Sequence, residues 1–200
     1  MMKKILVGCL VMGLMNLAPQ SQAGAAPASD DPLAGLNLGD SSGSPSSLFT
    51  AKFKDRLVVL DDGKLKAFDE ATLAGVKYWA FYYSASWCGP CRAFTPQLVD
   101  FYNSFKKTHS NFELIYVNDD QSEDDMLAYV KADNMPWPSV KFSYIKTSKL
   151  EAYCGPGIPC LVLTDENGKV LSDSYHGQDY VGPGQVMEDI KKMVPQPDGT

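Results

Sequence analysis

Three apolar runs stand out along the chain and predict the centre of a β-sheet. They cover residues 78–83, 112–117 and 159–164, and each is rich in aromatic or aliphatic residues. Polar or turn-forming residues bound each run. Short, nearly continuous apolar runs of this kind are typical of strands that are buried on both faces. We therefore expect three central strands.

Helical patterns separate these runs. After residue 91, apolar residues recur at the spacing of one helix face and predict a long helix over residues 91–107. Ser122 followed by Asp125 resembles a capping box, which predicts that a second helix begins there and ends near residue 132. Further helical patterns cover residues 69–73, 146–153 and 185–194.

Two β-hairpins flank this alternation of strands and helices. Residues 56–60 and 64–68 are separated by Asp61-Asp-Gly63, and an Asp-Gly pair between alternating strands is a strong hairpin signal. Residues 169–174 follow the third central strand across a turn at residues 165–168. The pattern predicts an α/β domain whose central mixed β-sheet is flanked by helices and preceded by an N-terminal β-hairpin.

The N-terminal part of the chain differs in composition from the rest. Residues 1–23 contain Lys3 and Lys4, then an apolar run of about 14 residues where a membrane span needs roughly 20, then Ser21-Gln-Ala23. This pattern predicts a secretory signal peptide, with an uncleaved anchor as the alternative. Residues 24–47 are rich in Ala, Ser, Gly and Pro and predict a flexible linker. We expect a domain over residues 48–195 and a tail over residues 196–200.

Composition and charge narrow the classes of function. The chain is 44% hydrophobic and 21% charged, as in a soluble globular domain with a core. Its net charge of −6 becomes −8 if Lys3 and Lys4 leave with the signal peptide, and this acidic balance argues against nucleic acid or anionic membranes as partners. Export predicts a periplasmic or secreted protein, with no stable membrane span after cleavage, in a compartment that permits disulfides.

The residues that carry chemistry are Cys88 and Cys91, which lie between the first central strand and the long helix. A cysteine at a helix N-terminus faces unpaired N–H groups and the positive end of the helix dipole, and both favour the thiolate. We therefore predict thiol–disulfide exchange, with Cys88 as the attacking thiolate and Cys91 as the resolving cysteine. This chemistry requires no cofactor beyond the Cys88–Cys91 disulfide. The alternatives are that Cys88 and Cys91 form a structural disulfide or that they supply half of the ligands of a zinc site.

A second cysteine pair remains once Cys9 leaves with the leader and Cys88 pairs with Cys91. We expect Cys154 and Cys160 to form a structural disulfide that closes a small loop, because export permits disulfides. The alternative is that Cys160 lies near Cys91 and exchanges disulfides with it. We expect no metal site, because Cys154 and Cys160 have no flanking histidine and fit poorly as zinc ligands.

Taken together, the motifs resemble thioredoxin-fold proteins and, more closely, their tryparedoxin and nucleoredoxin branch. The resemblance extends over roughly residues 48–194 and depends on segments 81–88, 91–96, 100–102, 135–137 and 157–159. It implies a thioredoxin fold, a cis peptide between Ile158 and Pro159 beside the active site, and pairing of the Ile158 backbone with a bound substrate. The residues predicted to bind substrate are Trp87, Gly89, Pro90, Ile158 and Pro159. Trp87 is included because it is amphipathic and adjacent to the thiolate, and the alternative is that it is a semi-buried packing residue.

Two positions depart from the family pattern. Tryparedoxins and nucleoredoxins usually have Pro-Pro between the cysteines, whereas this chain has Gly89-Pro90, as thioredoxin does. Thioredoxin also carries a buried Asp six residues before its first cysteine, where this chain has Tyr82. The proton acceptor for Cys91 is therefore water, another carboxylate, or no group in particular.

These observations predict an exported disulfide reductase that acts on disulfide-containing proteins. The Gly-Pro pair resembles thioredoxin and favours reduction over oxidation, so a membrane or periplasmic thiol electron donor is required. Two alternatives are a tryparedoxin-like electron carrier to a peroxidase and a redox-inactive module that binds peptides in the groove beside the cis-proline.

Overall fold

The mixed sheet that the sequence predicts is the framework of the domain. A computed structural model of the chain describes residues 48–197, and in it seven strands form one sheet with helices on both faces. The predicted signal peptide, the predicted linker and residues 198–200 lie outside the described residues. Within residues 48–197, no helix is long and apolar enough to cross a membrane.

The strands are numbered in chain order. They are β1 Leu57–Asp61, β2 Lys64–Ala67, β3 Tyr78–Ser84, β4 Phe112–Asn118, β5 Ser139–Val140, β6 Cys160–Asp165, β7 Val170–Asp173, β8 Tyr175–His176 and β9 Asp179–Tyr180. The main sheet has the order β2-β1-β5-β4-β3-β6-β7, while β8 and β9 pair separately. Strand β4 is parallel to β3 and β5, and the other neighbours are antiparallel. The predicted central strands β3, β4 and β6 are confirmed as neighbours.

The helices follow the predicted order, with some changes of boundary. They are α1 Leu48–Phe53, α2 Gly89–Phe105, α3 Glu123–Ala132, α4 Phe142–Ser148 and α5 Pro183–Met193, with 3₁₀ helices at Glu70–Leu73 and Leu150–Tyr153. The predicted start of α3 is confirmed, because the Ser122 hydroxyl accepts a hydrogen bond from the Asp125 N–H at 3.1 Å.

The N-terminal hairpin is also confirmed, and its turn explains the residues found there. Asp62 and Gly63 have φ angles of +49° and +69°. Two consecutive positive φ angles are characteristic of a type I′ turn, whose twist matches that of the flanking strands. Glycine tolerates this conformation without steric cost, which is why the turn lies at Gly63.

The two faces of the sheet bury different sets of side chains. Tyr82 and its β6 partner Leu161 face a core that α2, α3 and α5 cover. Their neighbours Tyr83 and Cys160, also paired across β3 and β6, face the opposite core, which α1 and the 3₁₀ helices cover. Side chains alternate along a strand, so this register decides which cysteines can meet.

Four parts of the fold differ from the sequence-based expectation. Helix α1, the two-residue strand β5 and the β8–β9 pair are present where no element is predicted. The helix predicted over residues 146–153 instead begins at Phe142 and ends at Ser148, and a 3₁₀ helix follows. The reason is Lys149, whose φ of +58° is left-handed and interrupts the α-helix.

Candidate active site

The predicted Cys88–Cys91 pair lies at the junction of β3 and α2. The two residues form a disulfide. Cys88 is the N-cap residue of α2, and its Sγ accepts a hydrogen bond from the Cys91 N–H at 3.2 Å. An N-cap position directs the helix's unpaired N–H groups and the positive end of its dipole toward this sulfur. The arrangement favours a thiolate at Cys88 once the disulfide is reduced.

The two cysteines differ in solvent exposure. Cys91 is fully buried at 0% exposure, whereas Cys88 is 6% exposed. Gly89 and Pro90 between them form the exposed first turn of α2. Cys88 is therefore the more accessible of the two sulfurs.

Trp87 lies on the surface beside the cysteines. Its side chain is 62% exposed, and its Nε1–H donates a hydrogen bond to the Asp119 carbonyl at 3.2 Å. This bond fixes one edge of the indole while the rest of the ring faces solvent. An exposed aromatic ring of this kind offers apolar area to a docking chain at low entropic cost.

The loop before β6 completes the site from the other side. The Ile158–Pro159 peptide is cis, as the family resemblance implies. The Ile158 carbonyl oxygen lies 3.8 Å from the Cys88 Sγ, and the Ile158 side chain packs against Ala85 and both cysteines. A main-chain carbonyl so close to the attacking sulfur is well placed to pair with the backbone of a bound substrate.

Two tyrosines outside the predicted site hold this loop in place. The Tyr175 hydroxyl donates to the Gly157 carbonyl at 3.2 Å, and the Tyr180 hydroxyl donates to the Pro159 carbonyl at 2.8 Å. Their rings pack together with centroids 5.0 Å apart. Both lie in the β8–β9 pair, which sequence reasoning missed, so their position beside the active site was not predicted.

A buried hydroxyl network lies behind Cys91. Thr95 Oγ1 donates to the Cys91 carbonyl at 2.9 Å and lies 2.9 Å from the Tyr82 hydroxyl and 2.6 Å from that of Tyr129. Burial raises the pKa of Tyr82 well above its usual value, so this phenol stays protonated near neutral pH. Tyr82 is therefore not a base for Cys91, and its role is to brace the first turns of α2.

This geometry recurs in known proteins. Residues 75–170 match the family model described as thioredoxin-like. Tryparedoxin II from C. fasciculata is 32% identical, with a TM-score of 0.55 over 74% of this chain and 93% of that one. The chain belongs to the thioredoxin-like family. The predicted fold is thereby confirmed, and the domain is of the thiol–disulfide oxidoreductase type found in this family.

Other relatives show how much of each protein's length this thioredoxin-like chain matches. Tryparedoxin I from Leishmania major is 28% identical, with a TM-score of 0.54 over 75% of this chain and 99% of that one. "Probable nucleoredoxin 1" of Arabidopsis thaliana is 34% identical over 163 residues, which are 77% of this chain and 27% of that protein. The chain therefore spans about a quarter of the length of this nucleoredoxin relative.

The second cysteine pair differs from the leading expectation. Cys154 and Cys160 are free thiols rather than a disulfide. Cys154 is half-buried and packs against the core that contains the buried Cys160. Cys160 also faces the core opposite α2, which argues against the alternative of direct exchange with Cys91. Within residues 48–197, no three His, Cys, Asp or Glu side chains gather as metal ligands would.

A cavity of about 450 Å³ opens beside the active site. Trp87 and Ile158 line it on the side of the reactive disulfide, and Cys154 lines it further along. Its volume falls within the range of small-molecule binding pockets. The cavity is thus lined both by residues that flank the Cys88–Cys91 disulfide and by Cys154.

Proposed function

We propose that this chain is an exported disulfide reductase that acts on disulfide-containing proteins in the periplasm or outside the cell. The observation that carries the proposal is the N-cap position of Cys88, whose sulfur accepts the Cys91 N–H at 3.2 Å. The same N–H group and helix dipole stabilise negative charge on Cys88 during attack. The Gly89-Pro90 pair, which resembles thioredoxin, favours reduction as the direction.

The reaction proceeds in two exchanges. The Cys88 thiolate attacks one sulfur of the substrate disulfide, forms a mixed disulfide and releases the first substrate thiolate. Cys91 then attacks the Cys88 sulfur and releases the second substrate thiolate. Two electrons have passed to the substrate, and the chain is left with the Cys88–Cys91 disulfide. A membrane or periplasmic thiol donor returns two electrons before the next cycle.

Substrate recognition uses the surfaces on either side of Cys88. Trp87 offers an exposed ring, and the Ile158 carbonyl stands 3.8 Å from the Cys88 sulfur. We propose that an extended segment of the substrate lies between them and pairs with the Ile158 backbone. Gly89 and Pro90 leave the approach to Cys88 free of bulky side chains.

Reduction of insulin by the purified chain tests the activity. We expect turnover with a thiol donor, loss of turnover in Cys88→Ser, and an accumulated mixed disulfide on Cys88 in Cys91→Ser. Cys9→Ser, tested in protein that retains residues 1–23, serves as the matched control and should leave turnover intact. Absent turnover, or turnover that survives Cys88→Ser, would overturn the proposal.

Two measurements test the direction of electron transfer and the location of the protein in the cell. A redox potential of about −270 mV, as in thioredoxin, supports reduction, whereas one of about −120 mV indicates an oxidant. A potential below about −300 mV would instead favour the redox-inactive peptide-binding alternative. An N-terminus that begins after Ala23 in protein recovered from outside the cytoplasm supports export, and retention of residues 1–23 in the cytoplasm would contradict it.

The tryparedoxin-like alternative has its own supporting observation. Tyr82 replaces the buried Asp of thioredoxin, in agreement with the tryparedoxin branch, and tryparedoxin II is 32% identical. A coupled assay with a thiol peroxidase distinguishes this role. Peroxide consumption faster than insulin reduction at equal donor concentration would favour the electron carrier over the general reductase.

A further inference from the structure

A short hairpin that the sequence does not predict contacts the loop before β6. Strands β8 and β9 pair so that Tyr175 lies directly opposite Tyr180. Gly177, whose φ is +66°, lies in the turn between them and allows the chain to reverse tightly. Residues directly opposite each other in an antiparallel pair project their side chains from the same face. The hairpin therefore carries two neighbouring phenol rings on one face.

The base of this hairpin is fixed to β6, just after the loop. Ser174 is fully buried, and its hydroxyl donates to the Leu161 carbonyl at 3.1 Å and accepts the Leu161 N–H at 2.8 Å. The Ser174 carbonyl accepts the Val181 N–H at 2.9 Å from the other side of the hairpin. Buried polar groups that are fully paired make the structure around them rigid. The two rings are thus held in a fixed position relative to the loop.

The two hydroxyls bind the main-chain carbonyls on either side of Ile158. The Tyr175 hydroxyl donates to the Gly157 carbonyl at 3.2 Å. The Tyr180 hydroxyl donates to the Pro159 carbonyl at 2.8 Å. The carbonyl between these two is that of Ile158, and its oxygen lies 3.8 Å from the sulfur of the N-cap cysteine of α2. The tyrosines therefore orient the peptide groups that flank the one closest to the attacking sulfur.

We propose that Tyr175 and Tyr180 are positioning residues that hold the Ile158 peptide group ready to pair with the main chain of a substrate, and so favour protein disulfides over small ones. This inference rests on the proposed reductase function. A protein substrate offers amide groups that pair with an exposed main chain, whereas a small disulfide without amides offers none. A loop that is already ordered also loses less entropy when the substrate docks.

The reactivity of Cys88 depends on different groups. Its sulfur accepts the Cys91 N–H at 3.2 Å and lies at the N-terminus of α2, and neither tyrosine donates to it. Removal of a phenol hydroxyl should therefore weaken the docking of a protein substrate and leave the exchange chemistry unchanged. A mutation that raises KM with an unchanged kcat has this signature.

Single-turnover oxidation of the reduced full chain tests this role. The chain is mixed with excess insulin or hydroxyethyl disulfide, which has no amide group, then quenched in acid, alkylated and analysed by mass spectrometry of the peptide that contains Cys88 and Cys91. In Tyr180→Phe, we expect the insulin concentration at half-maximal rate to rise about three- to tenfold, as the loss of one hydrogen bond predicts. The limiting rate with insulin and the rate with hydroxyethyl disulfide should each stay within about twofold.

Tyr175→Phe should act in the same direction, and the double variant should exceed either single change. Tyr144→Phe is the matched control, because its hydroxyl donates to a main-chain carbonyl elsewhere, that of Lys52 at 3.4 Å. It should leave the kinetics with both disulfides unchanged. If one of the single variants at the hairpin fails to fold, as judged by far-ultraviolet circular dichroism, the other decides the result.

Three outcomes would overturn the positioning role. These are unchanged insulin kinetics in the folded hairpin variants, slowing of equal size with insulin and hydroxyethyl disulfide, and an equal effect of Tyr144→Phe. A parent chain that insulin does not oxidise would instead overturn the proposed function, and this role with it. The two failures are therefore distinguishable, because the first requires an active parent.

Discussion

The carboxylate of Asp120 binds Ser86 through two hydrogen bonds at the edge of the active site. Its Oδ1 accepts the Ser86 N–H at 2.8 Å and the Ser86 hydroxyl at 2.7 Å. With its amide oriented so that both atoms find partners, Asn118 donates to the second oxygen at 2.6 Å. Asp120 is 9% exposed and ties the end of β4 to the turn that carries the cysteines.

This contact predicts that Asp120→Asn destabilises the domain. Hydrogen bonds to a buried charged acceptor contribute about 1.5–3 kcal/mol, and an amide retains only part of this, so we expect a loss of about 1–2 kcal/mol in the free energy of unfolding. Urea denaturation of the oxidised protein measures it. Asp119→Asn is the matched control, because that side chain is exposed, and it should change stability by less than about 0.5 kcal/mol. Equal effects of the two changes would contradict the role of Asp120.

Asp120 also shows where the sequence is informative and where it is not. From sequence alone, Asp119 and Asp120 are adjacent acidic residues after a strand and indicate only a charged loop. Their different burial arises because β4 lies beside β3, which brings one of the two carboxylates to Ser86. Such a contact across 34 positions leaves no local pattern.

The helices and strands divide in the same way, into those that a local sequence pattern predicts and those that depend on contacts between distant residues. Strands β3, β4 and β6 are predicted well because each is a buried apolar run, and the start of α2 is predicted by the Cys88–Cys91 motif itself. By contrast, β8 and β9 are two residues each and depend on the packing of Tyr175 and Tyr180 against the loop before β6. The reduced state of Cys154 and Cys160 was likewise missed, because sequence spacing gives proximity and not oxidation state.

Trp87→Ala is expected to weaken the binding of protein substrates without unfolding the domain. The ring is 62% exposed, so its removal should change the free energy of unfolding by less than about 1 kcal/mol. Docked aromatic residues often contribute more than about 1 kcal/mol to binding, so kcat/KM for insulin should fall about tenfold. Trp87→Phe keeps an apolar ring and should retain most of the activity. Unchanged insulin kinetics in the alanine variant would exclude Trp87 from substrate docking.

Gly155→Ala should destabilise the loop that precedes the cis-proline. A Cβ at this position would overlap the ring of Tyr175, which its own hydrogen bond to Gly157 holds in place. Overpacking of this kind costs about 1–3 kcal/mol. Thermal or urea unfolding measures the loss. Gly184→Ala, whose Cβ would meet no atom within 4 Å, is the matched control and should be neutral or slightly stabilising.

A double-mutant cycle tests whether the Tyr175 ring causes the loss of stability in Gly155→Ala. If the Tyr175 ring causes the cost, Gly155→Ala should cost less in a Tyr175→Ala background than in the parent. An unchanged cost in both backgrounds would show that the ring is not responsible.

Buried tyrosines predict that the domain loses stability in alkaline solution. Burial raises the pKa of Tyr82, Tyr83, Tyr102 and Tyr116 above their usual value. In the unfolded chain these phenols ionise near pH 10, while the folded protein keeps their protons. The unfolded state therefore binds fewer protons above that pH, and the free energy of unfolding falls as pH rises. Below about pH 9 these groups are protonated in both states and leave stability unchanged.

The expected decline is about 1.4 kcal/mol per pH unit above pH 10 for each tyrosine that ionises only on unfolding. Urea titrations at intervals from pH 8 to pH 11 measure it, with tyrosinate absorbance recorded in parallel. Tyr82→Phe removes one such group, so the free energy of unfolding should fall less steeply with pH, by the contribution of one tyrosine. Tyrosinate absorbance that develops fully near pH 10 in the still-folded protein would contradict the prediction, since it would mean that these hydroxyls ionise without unfolding.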